Sequence, residues 1–560
     1  MKKLLVLCLA AAVALPSCIQ TDNSLGKGLI DKSLLYDTYT VEFPLTEIQM
    51  KMSDGLSGYS DKRLVVGAIR DDVFGLTTRE AAFSLIPALD TLDLGTNPKA
   101  VSFSLYFEGD TISCSDDTQA RIFQNIYVTE LTQTLPGSNH TSCTQPIPHG
   151  SDLVTEGLPV YSGSGPLSFN FTQEFAQKYV DELKSLGSIL KQRPQDEEDD
   201  DQDYIDLYDE MLERLPGIHL RTDDPIGNGG RINLFNFSSL SVQDKRYYQN
   251  SNLGLLKVNS TWNGVQKDST FLFVPGEPEF IDEPYHTKNN TKFYQYCFNR
   301  TTHSTSAGKA GESIFVEGGG GLKPVILASE LQEKTCAEIA KKGGDPSRAI
   351  IIKASIILPF EMPENYEDMK YFPSVLSPTI CKTTVDDETS EEYITFAGLT
   401  DASVSTENQG NIDRSNLIYS PDITYHLQEM LDRADLGTST DADVWLLTIH
   451  TEQVADASNS MYDSDYYRQL MYASYYNNLY GGGYGYGGYG YGGYGYGGGY
   501  GYSNYYNYMM LAQMMAASQQ QTYTTTTELD KDRFYQATLN GPGTEGNTPH
   551  FRVTFAIPKE

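Results

Sequence analysis

Alternation of apolar and polar side chains with a period of two begins at Tyr39 and recurs along most of the chain. In Tyr39-Thr40-Val41-Glu42-Phe43-Pro44-Leu45 the residues Tyr39, Val41, Phe43 and Leu45 fall on one face, as in a strand with one side against a core. The same signature predicts strands at 63–68, 100–107, 120–131, 167–171, 217–221, 231–237, 253–259 and 269–274. It returns at 314–318, 349–358, 393–397, 444–450, 534–539 and 551–557. These segments are short and separated by turn residues, without the helix between successive strands that a parallel sheet requires. The expected fold is mainly β: two tandem or intimately packed antiparallel domains of the β-sandwich or jelly-roll kind, with a few covering helices and long loop insertions.

Helical periodicity is rarer. Phe171, Phe175, Tyr179 and Leu183 recur at intervals of four and put an apolar stripe on a helix opening at Thr172, suited to covering a sheet. A second helix is predicted over 328–342, with Leu331 and Ile339 inward and Gly343-Gly344 as its stop. A third is predicted over 423–434, with His426, Met430 and Leu431 on its sides. The segments 99–107 and 349–358 are alike, each a small residue leading into a long apolar strand, which points to two related β-domains. Their boundary falls at 279–313, between an N-terminal domain at 36–278 and a C-terminal domain at 314–560.

Two stretches interrupt the pattern. The acidic run 196–203, inside an insertion at 194–210, is too charged to bury and reads as a solvated loop. The segment 480–508, bounded by Tyr480 and Tyr508, is almost wholly glycine and tyrosine, a low-complexity composition with the capacity for self-association. Because strand-like sequence resumes at Phe534 and Phe551, this insertion, about 456–527, is expected to be a long hairpin loop within a folded domain rather than a tail.

Residues 1–17 combine a basic start at Lys2 and Lys3 with an apolar run too short to span a bilayer, the pattern of a removable signal. The ending Leu15-Pro16-Ser17-Cys18 resembles a bacterial lipobox, which implies cleavage before Cys18, acylation there, and a polar tether over 18–35. The formal charge of -33 opposes binding to nucleic acid and to anionic lipid surfaces, leaving lipid at Cys18 as the membrane attachment. Of the remaining cysteines, Cys114 and Cys143 share a loop-rich region and form the candidate disulfide; free thiols are the alternative.

Several stretches carry a family resemblance. Leu25-Gly26-Lys27-Gly28-Leu29-Ile30, then 66–75, then 97–105, and later 314–319, 534–537 and 551–555, resemble in their order a family of Bacteroidetes lipoproteins defined only as a domain of unknown function. The resemblance implies an outer-membrane lipoprotein with a β-rich body, and it supplies no catalytic residue.

Motifs for chemistry are sparse. No H-E-x-x-H or G-x-S-x-G occurs, and Gly318-Gly319-Gly320-Gly321 lacks the Lys-Ser/Thr ending of a phosphate loop, so a tight β turn is expected there. Asp71-Asp72-Val73-Phe74-Gly75 has two readings. Its aspartates either accept backbone N–H bonds in a turn over a packed Phe74, or serve as weak calcium candidates, Asp71 and Asp72. Thr91 and Thr111, in Asp-Thr-Leu and Asp-Thr-Ile, resemble a short O-glycosylation acceptor pattern. The expectation is a non-catalytic, cofactor-free, lipid-anchored protein of the outer membrane, surface-exposed or periplasm-facing. Its expected ligand is a glycan or another envelope protein; a periplasm-facing scaffold in envelope assembly is the alternative, and a glycan-active hydrolase ranks below both.

Overall fold

The computed structural model describes residues 36–87, 92–114, 117–136, 140–187, 191–192, 205–236, 240–243, 253–276, 286–287, 290–293, 296–385, 392–433, 435–455 and 523–559. Cys18, Thr91, the acidic run and the 480–508 segment lie outside these residues. The body is mainly β, its strands paired antiparallel in several sheets, as the alternation predicts. The three expected helices form at Gln173–Leu186, Ala328–Lys341 and Thr424–Asp432. Thr172 caps the first, its hydroxyl accepting from the Phe175 N–H at 3.2 Å. Among the described residues no helix is long and apolar enough to cross a membrane.

The chain forms two compact units, one ending at Thr448 and resuming at Asp530, the other Ile449–Leu529. The described part of the second unit is the stem of an antiparallel hairpin, with Ile449 opposite Leu529 through to Ala455 opposite Tyr523. In the sequence, positions 456–522 connect these two strands.

The first unit contains two cores. One gathers Leu64, Phe83, Phe103, Phe107, Phe171, Tyr179, Phe235 and Phe273. The other gathers Phe43, Leu45, Ile314, Leu331, Ile356, Leu446, Phe551 and Phe555. Their membership corrects the expected boundary at 279–313. Strand Tyr36–Pro44 pairs along its whole length with His550–Pro558, and Gln49–Met52 pairs with Leu322–Ile326, so the first strands belong to the second core. Conversely, Cys297–His303 pairs with Gly75–Pro87 in the first group. A boundary drawn from local composition misses both, because pairing between distant segments leaves no trace in local pattern.

The likeness of 99–107 and 349–358 extends to three dimensions. The first lies in strand Thr96–Phe107, in the order Val265–Gly276, Leu253–Trp262, Thr96–Phe107, Leu167–Asn170. The second lies in Ile350–Pro359, in the order Tyr36–Pro44, His550–Pro558, Ile350–Pro359, Ile418–Tyr419. Each strand bulges, at Val101 and at Ile352, and those side chains are 44% and 51% exposed. Beside each bulge a glutamine from the covering helix accepts a strand N–H: Gln177 from Ala100 and Gln428 from Ile351, both at 2.8 Å. Phe171 N–H bonds to the Phe103 carbonyl and Ile423 N–H to that of Ala354, again both at 2.8 Å. The two cores thus share a four-strand order, a bulge and a helix clamp. In the second, Tyr36–Pro44 fills the place that a hairpin partner takes in the first.

Candidate functional site

Polar chemistry concentrates in two places, a sealed seam and an open cleft, both in the first unit and both touching the paired strands Ser313–Glu317 and Gln536–Asn540.

The seam surrounds the turn Gly318-Gly319-Gly320-Gly321, which joins Ser313–Glu317 to Leu322–Ile326 and closes with a Gly321 N–H to Gly318 carbonyl bond of 3.2 Å. It is a tight turn, as expected, but a fully buried one. Glycine is required here by close approach: a Cβ on Gly319, whose φ is +57°, would stand 2.5 Å from the Arg79 guanidinium, and one on Gly320 would stand 2.7 Å from Cys143 Sγ. The Lys323 ammonium sits within the turn, donating to the carbonyls of Glu317, Gly319 (3.1 Å) and Gly321 (3.3 Å) and to Ser53 Oγ (3.2 Å). Burial pulls its pKa down to about 7, against the opposing charge of Glu317.

Glu317 is equally enclosed. His303 Nδ1 lies 3.0 Å from its Oε1, while Thr305 Oγ1 and the Leu322 N–H (3.1 Å) donate to Oε2. Burial works to raise this carboxyl, and the hydrogen bonds and charges around it more than offset that, so it is held below its ordinary value. Burial pushes His303 the other way, toward the neutral ring. A neutral ring with its proton on Nδ1 fits the geometry, leaving Nε2 to accept from Thr301 Oγ1 at 3.1 Å. Asp532, buried and pushed up by desolvation, accepts from Ser60 Oγ at 2.8 Å and Asn299 Nδ2 at 3.1 Å.

The cleft, about 830 Å³, is built from four separate stretches of chain. Its apolar floor is Ile69, Phe74, Phe372 and Phe534, with Tyr371 edge-on to Phe534 at 5.6 Å between ring centroids. Phe74 is fixed by an edge contact to Phe315 at 5.4 Å. Its charged lining is entirely acidic: Asp71, Glu312, Glu361, Glu364, Asp368 and Glu545. Gln536, Thr538 and Asn540 add amide and hydroxyl groups along one wall.

The structure separates the residues singled out from sequence. Asp71 Oδ1 accepts from the N–H groups of Val73 and Phe74, both at 2.7 Å, and Gly75 closes the turn at φ +69°. That is the turn reading, and it corrects the calcium one. Asp72 is exposed and outside the cleft lining, and among the described residues no three His, Cys, Asp or Glu side chains are grouped to hold a metal ion. The Cys114–Cys143 disulfide is also corrected. Both are buried thiols with no disulfide joining them, Cys143 backing the glycine turn and Cys114 presenting its carbonyl to the Tyr371 hydroxyl. Thr111 is exposed on strand Gly109–Cys114. Sequence reasoning missed the cleft and the buried members of the seam. The one local signal for the seam was Lys323, one residue beyond a run of four glycines.

No protein-family model, curated protein or solved structure matches the chain at a significant level.

Proposed function

We propose that the chain is a non-catalytic binding protein, anchored to the outer membrane through acylated Cys18, that receives another envelope component, glycan or protein, in the acidic, aromatic-floored cleft. The cleft carries this reading. It is concave, apolar at its base and polar along one wall, the make-up of a recognition site. The shifted charged groups of the seam, Arg79, His303, Glu317 and Lys323, do not line the cleft and are held in contacts within the fold, which supports a binding reading over a catalytic one. The anchoring rests on the lipobox-like ending at Cys18, and the family resemblance agrees with it.

The anchoring is tested by the substitution Cys18→Ala in cells that make the full chain. Most of the protein should move from the membrane pellet to the soluble fraction; retention in the pellet would show attachment by other means. Protease treatment of intact cells should degrade the body if the cleft serves the cell surface. Protection would instead favour the periplasm-facing scaffold.

A further inference from the structure

One wall of the cleft is the edge of a strand, and the following inference rests on the reading of the chain as a binding protein. Among the described residues, strand Gln536–Asn540 pairs with one strand, Ser313–Glu317. Just beyond its ends, Gly541 N–H bonds to the Glu312 carbonyl at 2.8 Å, and Gly318 N–H bonds to the Tyr535 carbonyl at 2.9 Å. Both pairs continue the register in which Ser313 faces Asn540 and Glu317 faces Gln536. Hydrogen-bonded and non-bonded pairs alternate along an antiparallel ladder. Ala537 and Leu539 therefore point their peptide groups at the partner strand, and Gln536, Thr538 and Asn540 point theirs away. No strand among the described residues takes up that outer row. Thr538, Leu539 and Asn540 are consecutive and all line the cleft, although consecutive side chains project to opposite faces. The cleft thus runs along the edge of the strand.

Two further observations bear on what fits there. The charged residues of the lining are all carboxylates, with no lysine, arginine or histidine to answer them. In addition, Asp71 Oδ2, an acceptor, and Gln536 Nε2, a donor, are buried without a hydrogen-bond partner among the described residues. A buried polar atom left unmet costs about 1–3 kcal/mol, so the residues beside the cleft hold hydrogen-bonding capacity that the described fold leaves unused. An extended polypeptide offers N–H and C=O groups at the spacing of the open strand edge, and basic side chains supply the missing charge. A neutral sugar supplies neither the peptide ladder nor the charge.

The geometry points to an extended, basic polypeptide segment as the ligand of this cleft, added as a strand beside Gln536–Asn540 with its lysine or arginine side chains among the carboxylates and its apolar ones on the aromatic floor. Five residues of such a segment, at about 3.4 Å each, match the length of the edge.

The test uses the full-length chain in detergent against an array of octapeptides with lysine or arginine at alternate positions, with glutamate-bearing octapeptides and neutral oligosaccharides on the same surface. Basic peptides should bind, acidic ones should not, and N-methylation of alternate amides in a binding peptide should weaken it at least tenfold. The double substitution Glu361→Lys, Glu364→Lys, at two exposed rim positions, should weaken binding at least tenfold as well. So should Thr538→Pro, which removes an outward N–H while sparing the ladder to Ser313–Glu317. If that variant does not fold, the N-methylated peptides still report on the edge. Equal binding by N-methylated peptides, or no binding by any basic peptide, overturns the inference. If oligosaccharides bind while peptides do not, strand addition is wrong and the cleft reading stands; silence from both classes removes the cleft reading too.

Discussion

Glu317 and Glu312 lie five positions apart, one in the strand Ser313–Glu317 and the other at its start, and they meet opposite fates. Glu317 has a side chain 1% exposed, and His303, Thr305 and the Leu322 N–H all reach its oxygens, with the Lys323 ammonium close behind. Glu312 is exposed at the mouth of the cleft, among five other acids and no bases. The seam and the cleft share two strands but not a principle of charge. Inside, Glu317 and Lys323 are met by partners within the fold, because a buried charge left alone is prohibitively costly, although Arg79 keeps two guanidinium nitrogens unmet among the described residues. Outside, the charges are left for something else to answer. A carboxylate's role in this protein is therefore read from whether its compensation is internal.

If that contrast is right, substitutions in the seam should act on stability and those at the rim on binding alone. The largest effect is expected from Lys323→Met, which leaves the Glu317 carbonyl without its donor, takes one donor from the Gly319 and Gly321 carbonyls that Ser53 also meets, and removes a buried cation that Glu317 stabilises. Denaturant titration should show a loss of about 3–5 kcal/mol. Its pH dependence sharpens the point. The folded state holds Lys323 at about 7, whereas the unfolded chain binds that proton up to about 10.4, so between these values the unfolded state carries more protons. The wild type should therefore gain stability relative to Lys323→Met as pH rises from about 7 toward 10, and the gain should be absent below that window. A flat difference across the window would mean that the carbonyl ring keeps the ammonium charged. Next in size is Gly319→Ala. The new methyl meets the buried Arg79 guanidinium at a positive φ, and about 1–3 kcal/mol should be lost by the same titration. Smallest is Glu361→Lys with Glu364→Lys, where the melting transition should correspond to a change within about 0.5 kcal/mol. A loss comparable to that of Gly319→Ala would show the rim acids to be structural after all.

The alternation of side chains made most of the body readable, and it failed where polar residues face inward. The strand Gly75–Pro87 escaped notice because its buried positions begin with Thr77 and Arg79, which serve the seam, while Leu76 lies half out. Leu376–Val385 and Leu322–Ile326 were obscured by Pro378 and Pro324. The Asp71 turn was legible because its parts are contiguous: an acceptor, the N–H groups two and three positions on, and a glycine. The cleft was not, since its walls come from residues as far apart as Ile69, Glu361 and Glu545. The two thiols misled for a related reason. Closeness in sequence placed Cys114 and Cys143 in one region, and the strands carried them to different neighbours.

The pairing of Tyr36–Pro44 with His550–Pro558 also sets an order of events during synthesis. Thr40 and Thr554, 514 positions apart, share a hydroxyl contact of 2.9 Å, and Glu42 pairs with Arg552 at 2.6 Å. The sheet of the first core can assemble once residue 303 has emerged, since the strands on its main path are already present. The second core must wait with strand Tyr36–Pro44 idle and the edge of Ile350–Pro359 uncovered until residues His550–Pro558 arrive. Contacts of such long sequence separation form slowly and leave strand edges open in the meantime. A ribosome stalled before residue 550 would therefore hold a chain whose first half is finished and whose second half is a set of unclosed edges.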